Sequence, residues 1–154
     1  MKKLGIQGIR RGAFKVTTSS NKNATRPKDL VDRDFTVAAP NRLWVADFTY
    51  VAIWSGFVYV AFIVDAYARR IVGWNVSRRM NTALVLDALE MALWQRNPDG
   101  ELIHHNDAGV QYLSIAYSER LEEAGIAASV GSVGDAYDNA LAETINGLYK
   151  AEVI

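Results

Sequence analysis

The chain has 154 residues, half of them apolar, with 17 basic and 17 acidic side chains and no cysteine. That is the size of one domain with enough apolar area for a full core, and the lack of thiols excludes a disulfide framework and cysteine-based zinc sites. No apolar run reaches the roughly 18 residues of a membrane span, and the start MKKLGIQGIRRG lacks the apolar stretch of a signal peptide, so a cytoplasmic protein with no membrane partner is expected.

The zero net charge averages two unlike parts. Residues 1–34 hold nine Lys or Arg against three Asp, a net +6, and the remainder carries −6. A basic arm ahead of an acidic globule is the pattern of a phosphate-contacting protein, and equally that of a solvated tail. The stretch TTSSNKNATRPKD is polar and turn-rich. Residues 1–35 therefore read as a poorly ordered basic arm or linker, and 36–154 as the folded domain.

In chain order, LWVADFTYV (43–51) reads as a strand rich in β-branched and aromatic residues. Ser55-Gly56 makes a turn, and the unbroken apolar run 57–64 predicts a central strand covered on both faces. Asp65 to Arg69 turn the chain into a third strand over about 70–77. Asn81 or Thr82 caps a helix over 82–96, which stops at Asn97-Pro98-Asp99-Gly100. A short strand over 101–106 delivers Asp107. A helix follows to Ala124, with Tyr117, Leu121 and Ala124 on one face and Gly125 closing it. Residues 126–130 fit a fifth strand, GSVGDAYD a loop, and a last helix starts at about Asp138 or Asn139. Three antiparallel strands, then helix, strand, helix, strand, helix give an α/β three-layer fold with a mixed five-stranded sheet. This matches the ribonuclease-H-like topology, in which the first and fourth strands lie side by side.

On that topology three carboxylates converge: Asp47 in the first strand, Asp107 at the end of the fourth, and Glu143 in the first turn of the last helix. Thirty-five residues separate Asp107 from Glu143. Acidic side chains are rarely buried unless paired or bound to a cation, and an all-oxygen donor set suits magnesium or manganese. Two such ions about 3.5–4 Å apart can drive in-line displacement at a phosphodiester without a protein nucleophile. Each residue alone has a plainer explanation. Asp47 could be satisfied by backbone groups, Asp107 could be a turn residue before Ala108-Gly109, and Glu143 could answer the helix dipole. His104 and His105 are candidate ligands, but neighbours on a strand face opposite ways, so at most one joins the site. Asp65 is a rival fourth carboxylate whose position in a turn favours a structural role. The combination is what points to a site.

The motifs PNRLWVADFTYV, HHNDAGVQY and GDAYDNALAETINGLYKAE resemble the catalytic core of bacterial insertion-sequence transposases of the OrfB type. These share a fold and a D,D(35)E triad with retroviral integrases. The resemblance covers roughly residues 26–154. It places the catalytic and metal-binding triad on Asp47, Asp107 and Glu143, with Trp44 and Thr49 matching the first motif. Gly134, Asp135, Tyr137, Asp138 and Asn139 match the approach to the Glu. DNA-handling positions fall on Asn146 and Lys150, and Lys2, Lys3, Arg10 and Arg11 of the basic arm are further candidate DNA contacts. Two departures stand out. Asn106 replaces a usual Ser, and Ala108 replaces a usual Arg, which removes a guanidinium beside the second ligand.

The resemblance implies a magnesium- or manganese-dependent enzyme that cleaves and transfers DNA strands in transposition. Its partners are element ends, target DNA and other copies of itself in a synaptic complex, and its place is the cytoplasm, associated with the nucleoid. The chain also ends soon after the Glu-bearing segment, where the family core continues, so a C-terminally incomplete core is expected. The alternative is a truncated, inactive remnant that binds DNA or a full-length subunit. The fold alone permits a ribonuclease-H-type or junction-resolving nuclease, but the D,D(35)E spacing and DNALAETINGLYK favour the transposase.

Overall fold

The computed structural model describes residues 27–107 and 109–131, together with Thr144 and Gly147, both helical. Five strands and two helices follow one another: β1 (Leu43–Ile53), β2 (Gly56–Asp65), β3 (Arg70–Ser77), α1 (Thr82–Arg96), β4 (Ile103–Asn106), α2 (Ile115–Glu123) and β5 (Ala127–Val130). They form one sheet in the order β3-β2-β1-β4-β5. The first three strands are an antiparallel meander, while β4 pairs parallel with both β1 and β5. The mixed five-stranded sheet expected from the sequence is therefore present.

Local chemistry sets the element ends. Ile53 pairs with Gly56 around the Trp54-Ser55 turn, and Gly56 takes a φ of +123°, a conformation open to glycine. Asn81 accepts the Leu84 N–H at the start of α1, and Asn97, left-handed at φ 38°, returns its own N–H to the Leu93 carbonyl. Ser114 caps α2 by accepting the Tyr117 N–H. Gly125, at φ 68°, then turns the chain so that Ile126 N–H reaches the Leu121 carbonyl.

Alternation along the strands separates two cores. One face carries Trp44, Ala46, Ala61, Ile63 and Val72 beneath α1 and α2. On that side Gly73 is a required close approach, because an added Cβ would fall 2.1 Å from the Ala88 carbonyl oxygen of α1. Arg120 of α2 ties to α1 through a forked ion pair with Glu90.

The other face is built from Leu43, Val45, Phe62, Val64 and Ala66, closed by Val31 with Phe35 and Val37. This corrects the extent of the arm, because residues 27–35 are part of the folded unit. Val31 is 6% exposed, Leu30 N–H donates to Ser129 Oγ, and Asp29 Oδ1 accepts the Val31 and Asp32 N–H groups. One buried valine and an aspartate-led turn anchor a segment whose composition is that of a linker. Residues 1–26, and with them Lys2, Lys3, Arg10 and Arg11, lie outside the described residues.

A second correction concerns β2. Only Ala61–Asp65 is buried, while Gly56–Val60 is exposed or half-buried. The inner half is the part that is covered, Ala61 and Ile63 in the cluster with α1 and Phe62 and Val64 in the cluster with Val31, Phe35 and Val37. The outer half of the β1–β2 ribbon leaves Tyr50, Trp54 and Phe57 exposed.

Candidate functional site

The parallel register of β1 and β4 ends on the pair Ala46–Asn106. Asp47 and Asp107 come next on their chains, so they stand side by side across a strand spacing of about 4.8 Å. Asp47 pairs on its other side with Phe62, a member of the second core, while Asp107 lies one residue beyond the end of β4 with its Oδ1 against Gly109. Backbone donors fix one oxygen of each carboxylate. Phe48 N–H reaches Asp47 Oδ1 at 2.8 Å and Gly109 N–H reaches Asp107 Oδ1 at 3.1 Å. Asp107 is exposed as a residue, yet the protein packed around its carboxyl raises its pKa by desolvation. That outweighs the lowering by the Gly109 N–H and His105.

The third expected ligand, Glu143, lies outside the described residues, as do Ala108, Asn146, Lys150 and the Gly134–Asn139 approach. Among the described residues no group of three or more His, Cys, Asp or Glu is placed to hold a metal. The structure therefore brings together two members of the expected triad. Both offer hard oxygen donors, and that fits a magnesium- or manganese-sized cation better than zinc or copper.

Asp65 is elsewhere. Its strand neighbour on β1 is Trp44, three residues from the Asp47–Phe62 pair and on the opposite face. The side chain is fully buried and accepts three backbone N–H groups, from Asn41 at 2.8 Å, Tyr67 at 2.9 Å and Ala68 at 3.0 Å. It folds the β2–β3 turn onto the entry to β1, the structural role expected of it. Trp44 is also buried, with its indole N–H 3.3 Å from Asn41 Oδ1.

The two histidines do face opposite ways. His105 Nδ1 lies 2.9 Å from Ser129 Oγ and 3.8 Å from Asp29 Oδ1, under the ring of Phe35. His104 Nε2 lies 3.0 Å from the Tyr117 hydroxyl on the helix side. Burial pushes the His104 pKa down to about 3, holding it neutral. Its Nδ1 has no hydrogen-bond partner, nor do the buried Asn106 Oδ1 and the Tyr112 hydroxyl.

Tyr112 went unassigned in the sequence, where only its place inside HHNDAGVQY draws attention. Here its ring packs against Phe48 and Tyr117, with centroids 6.0 and 5.4 Å away. Its pKa is raised well above the usual phenol value, first by burial and then by Tyr117, Asp47 and Asp107.

Comparison with known proteins adds three findings. Residues 37–136 match the integrase core domain family. The whole chain is 59% identical to 57% of the length of a protein of insertion sequence element IS986/IS6110 from Mycobacterium tuberculosis (strain ATCC 25618 / H37Rv). Nearly all of it (98%) is 58% identical to half of the transposase for insertion sequence element IS629 from Shigella sonnei. The chain thus spans little more than half the length of these relatives. Among solved structures, 85% of the chain superposes on 45% of a chain of the simian T-cell lymphotropic virus intasome, with a TM-score of 0.69 at 18% identity. The HTLV-2 integrase catalytic core domain, solved in complex with magnesium, matches with a TM-score of 0.61 at 20% identity, over 73% of this chain and 69% of that one. At these identities the structural matches speak for the fold.

Proposed function

Because the chain belongs to the integrase core domain family, we propose that it is the phosphodiester-processing core of an insertion-sequence transposase, cleaving DNA at element ends and joining it to a target. The observation that supports this reading is that Asp47 and Asp107 each come one residue after the last shared pair of the adjacent parallel strands β1 and β4. A divalent cation, when bound, supplies the charge neutralisation and Lewis acidity that in-line displacement at a phosphodiester requires.

This chain's own residues have simpler tasks. β1 and β4 set the separation of the carboxylates, and the Phe48 and Gly109 N–H groups fix their rotation. Asp47, Asp107 and Glu143 are the proposed ligands of magnesium or manganese. Asn146 and Lys150, together with Lys2, Lys3, Arg10 and Arg11, are proposed to hold DNA near this edge. The partners are DNA ends, target DNA and further copies of the chain, in the cytoplasm at the nucleoid.

The test is nicking and joining of labelled duplexes that carry the element's ends, with and without magnesium or manganese. Metal-dependent cleavage that disappears in Asp47→Asn, Asp107→Asn and Glu143→Gln is the expected result. Cleavage that persists in Asp107→Asn, or without divalent metal, overturns the reading.

A further inference from the structure

Tyr112 is only 4% exposed, and its hydroxyl is left without a hydrogen-bond partner among the described residues. Burying a hydroxyl that way costs about 1–3 kcal/mol. Phenylalanine would fill the same space against Phe48 and Tyr117 without that cost, so the hydroxyl calls for an acceptor that packing alone does not provide. The neighbouring tyrosine makes the contrast. The Tyr117 hydroxyl, one ring away, is already bonded to His104 Nε2.

Gly109 locates Tyr112 relative to the carboxylates. A Cβ added there would lie 2.9 Å from Asp107 Oδ1 and 3.5 Å from both the Phe48 and Tyr112 rings. One backbone point therefore lies against both the second carboxylate and the tyrosine ring.

We propose that Tyr112 is a positioning residue for Asp107 in the Asp47–Asp107 pair, its hydroxyl serving as hydrogen-bond donor to an Asp107 oxygen once that carboxylate turns to a divalent cation. The inference rests on reading that pair as a metal site. A carboxylate that gives one oxygen to a cation turns the other toward the protein, where a donor holds the rotamer and favours the charged form. A phenol suits the task because its O–H is a hydrogen-bond donor across the ordinary pH range.

The experiment is manganese titration of the 154-residue chain, followed by the spin-resonance signal of free Mn²⁺, with thermal melting in parallel. Wild type, Asp107→Asn, Tyr112→Phe and Tyr117→Phe are compared. Wild type is expected to bind and Asp107→Asn to lose binding. Tyr112→Phe should weaken Mn²⁺ affinity about 10-fold, the lower end of what loss of an outer partner costs, while melting without metal at or above the wild-type temperature. Tyr117→Phe should melt lower, having left His104 unpaired, with Mn²⁺ affinity unchanged. Equal affinity in Tyr112→Phe and wild type overturns the proposal, whatever happens to the melting temperature. An equal loss in Tyr117→Phe also overturns it, because the effect would then be general loosening. Wild type that binds no Mn²⁺ removes the metal-site reading and this inference together.

Discussion

Asp65 and the Asp47–Asp107 pair are acidic groups of one sheet put to opposite uses. Asp65 is fully buried and accepts three backbone N–H groups, and its position at a strand end ties a turn to the neighbouring strand. Its lone pairs are largely taken by the protein. Asp47 and Asp107 accept local N–H groups from Phe48 and Gly109 and follow the last shared pair of two neighbouring strands, and Asp107 has nearby a buried phenol with no hydrogen-bond partner among the described residues. The lesson is that burial alone does not mark a functional carboxylate. Where its hydrogen bonds go, and whether a second carboxylate follows on the neighbouring strand, separates a fastener from a proposed site.

The largest effect should come from breaking the fastener. Asp65→Ala removes the acceptor of three part-buried N–H groups and leaves a hole in a fully buried site, and should lower stability by about 2–4 kcal/mol, on the order of 10 °C in melting temperature for a domain of this size. Any shift produced by Mn²⁺ in the folded fraction should survive the substitution.

The reciprocal change comes next. Asp107→Asn should leave the metal-free melting temperature equal or higher, because burial disfavours the charged carboxylate, and Asp47→Asn is compared with it for metal response. Each should also erase a metal-induced gain of about 2.7 kcal/mol at 100 times the dissociation constant. A melt of the wild type unmoved by millimolar Mg²⁺ or Mn²⁺ would dissolve the contrast between the two regions.

Gly109→Ala sharpens it further. The new Cβ presses on Asp107 Oδ1 from 2.9 Å and should turn the carboxylate away. Mn²⁺ affinity should fall about 10-fold, or about 1.4 kcal/mol, with only a small change in stability. Titration of the variant beside the wild type reads this directly.

The smallest effect is in the pH profile. The folded Asp107 pKa is raised, so its contribution is complete below the unfolded value of about 4 and is lost as pH rises through the folded value. Asp107→Asn should lack that loss and gain on wild type toward neutral pH. His104 has the opposite sign. Its pKa is lowered to about 3, so its contribution is present above about 6.5 and disappears as acid is added. Urea melts from pH 3 to 8 on wild type, Asp107→Asn and His104→Gln would separate the two slopes.

Much of the layout is readable in residue order. The third strand and first helix fall where β-branched alternation and the Asn81 and Asn97-Pro98 signals put them, and Gly125 marks the end of α2. The structural task of Asp65 is readable for the same reason, since its backbone partners Tyr67 and Ala68 are close in sequence. Residues 27–35 are not, because the Val31 that anchors them has no periodic neighbours, and its burial depends on a sheet face built from distant strands. The exposed outer half of β2 is likewise hidden, because only the inner half is covered by other elements, which the apolar run of β2 cannot encode by itself.

The sequence by itself determined the elements, their order and which carboxylates were candidates, because capping, turn formation and periodicity act over a few residues. The side-by-side register of Asp47 and Asp107 depends on a parallel pairing across 60 positions of chain, which the sequence reached only through likeness to a known topology. The orphaned hydroxyl of Tyr112 was decided by tertiary structure alone. Whether a phenol finds water, a partner or a carboxylate is settled by what β1, β4 and α2 pack around it.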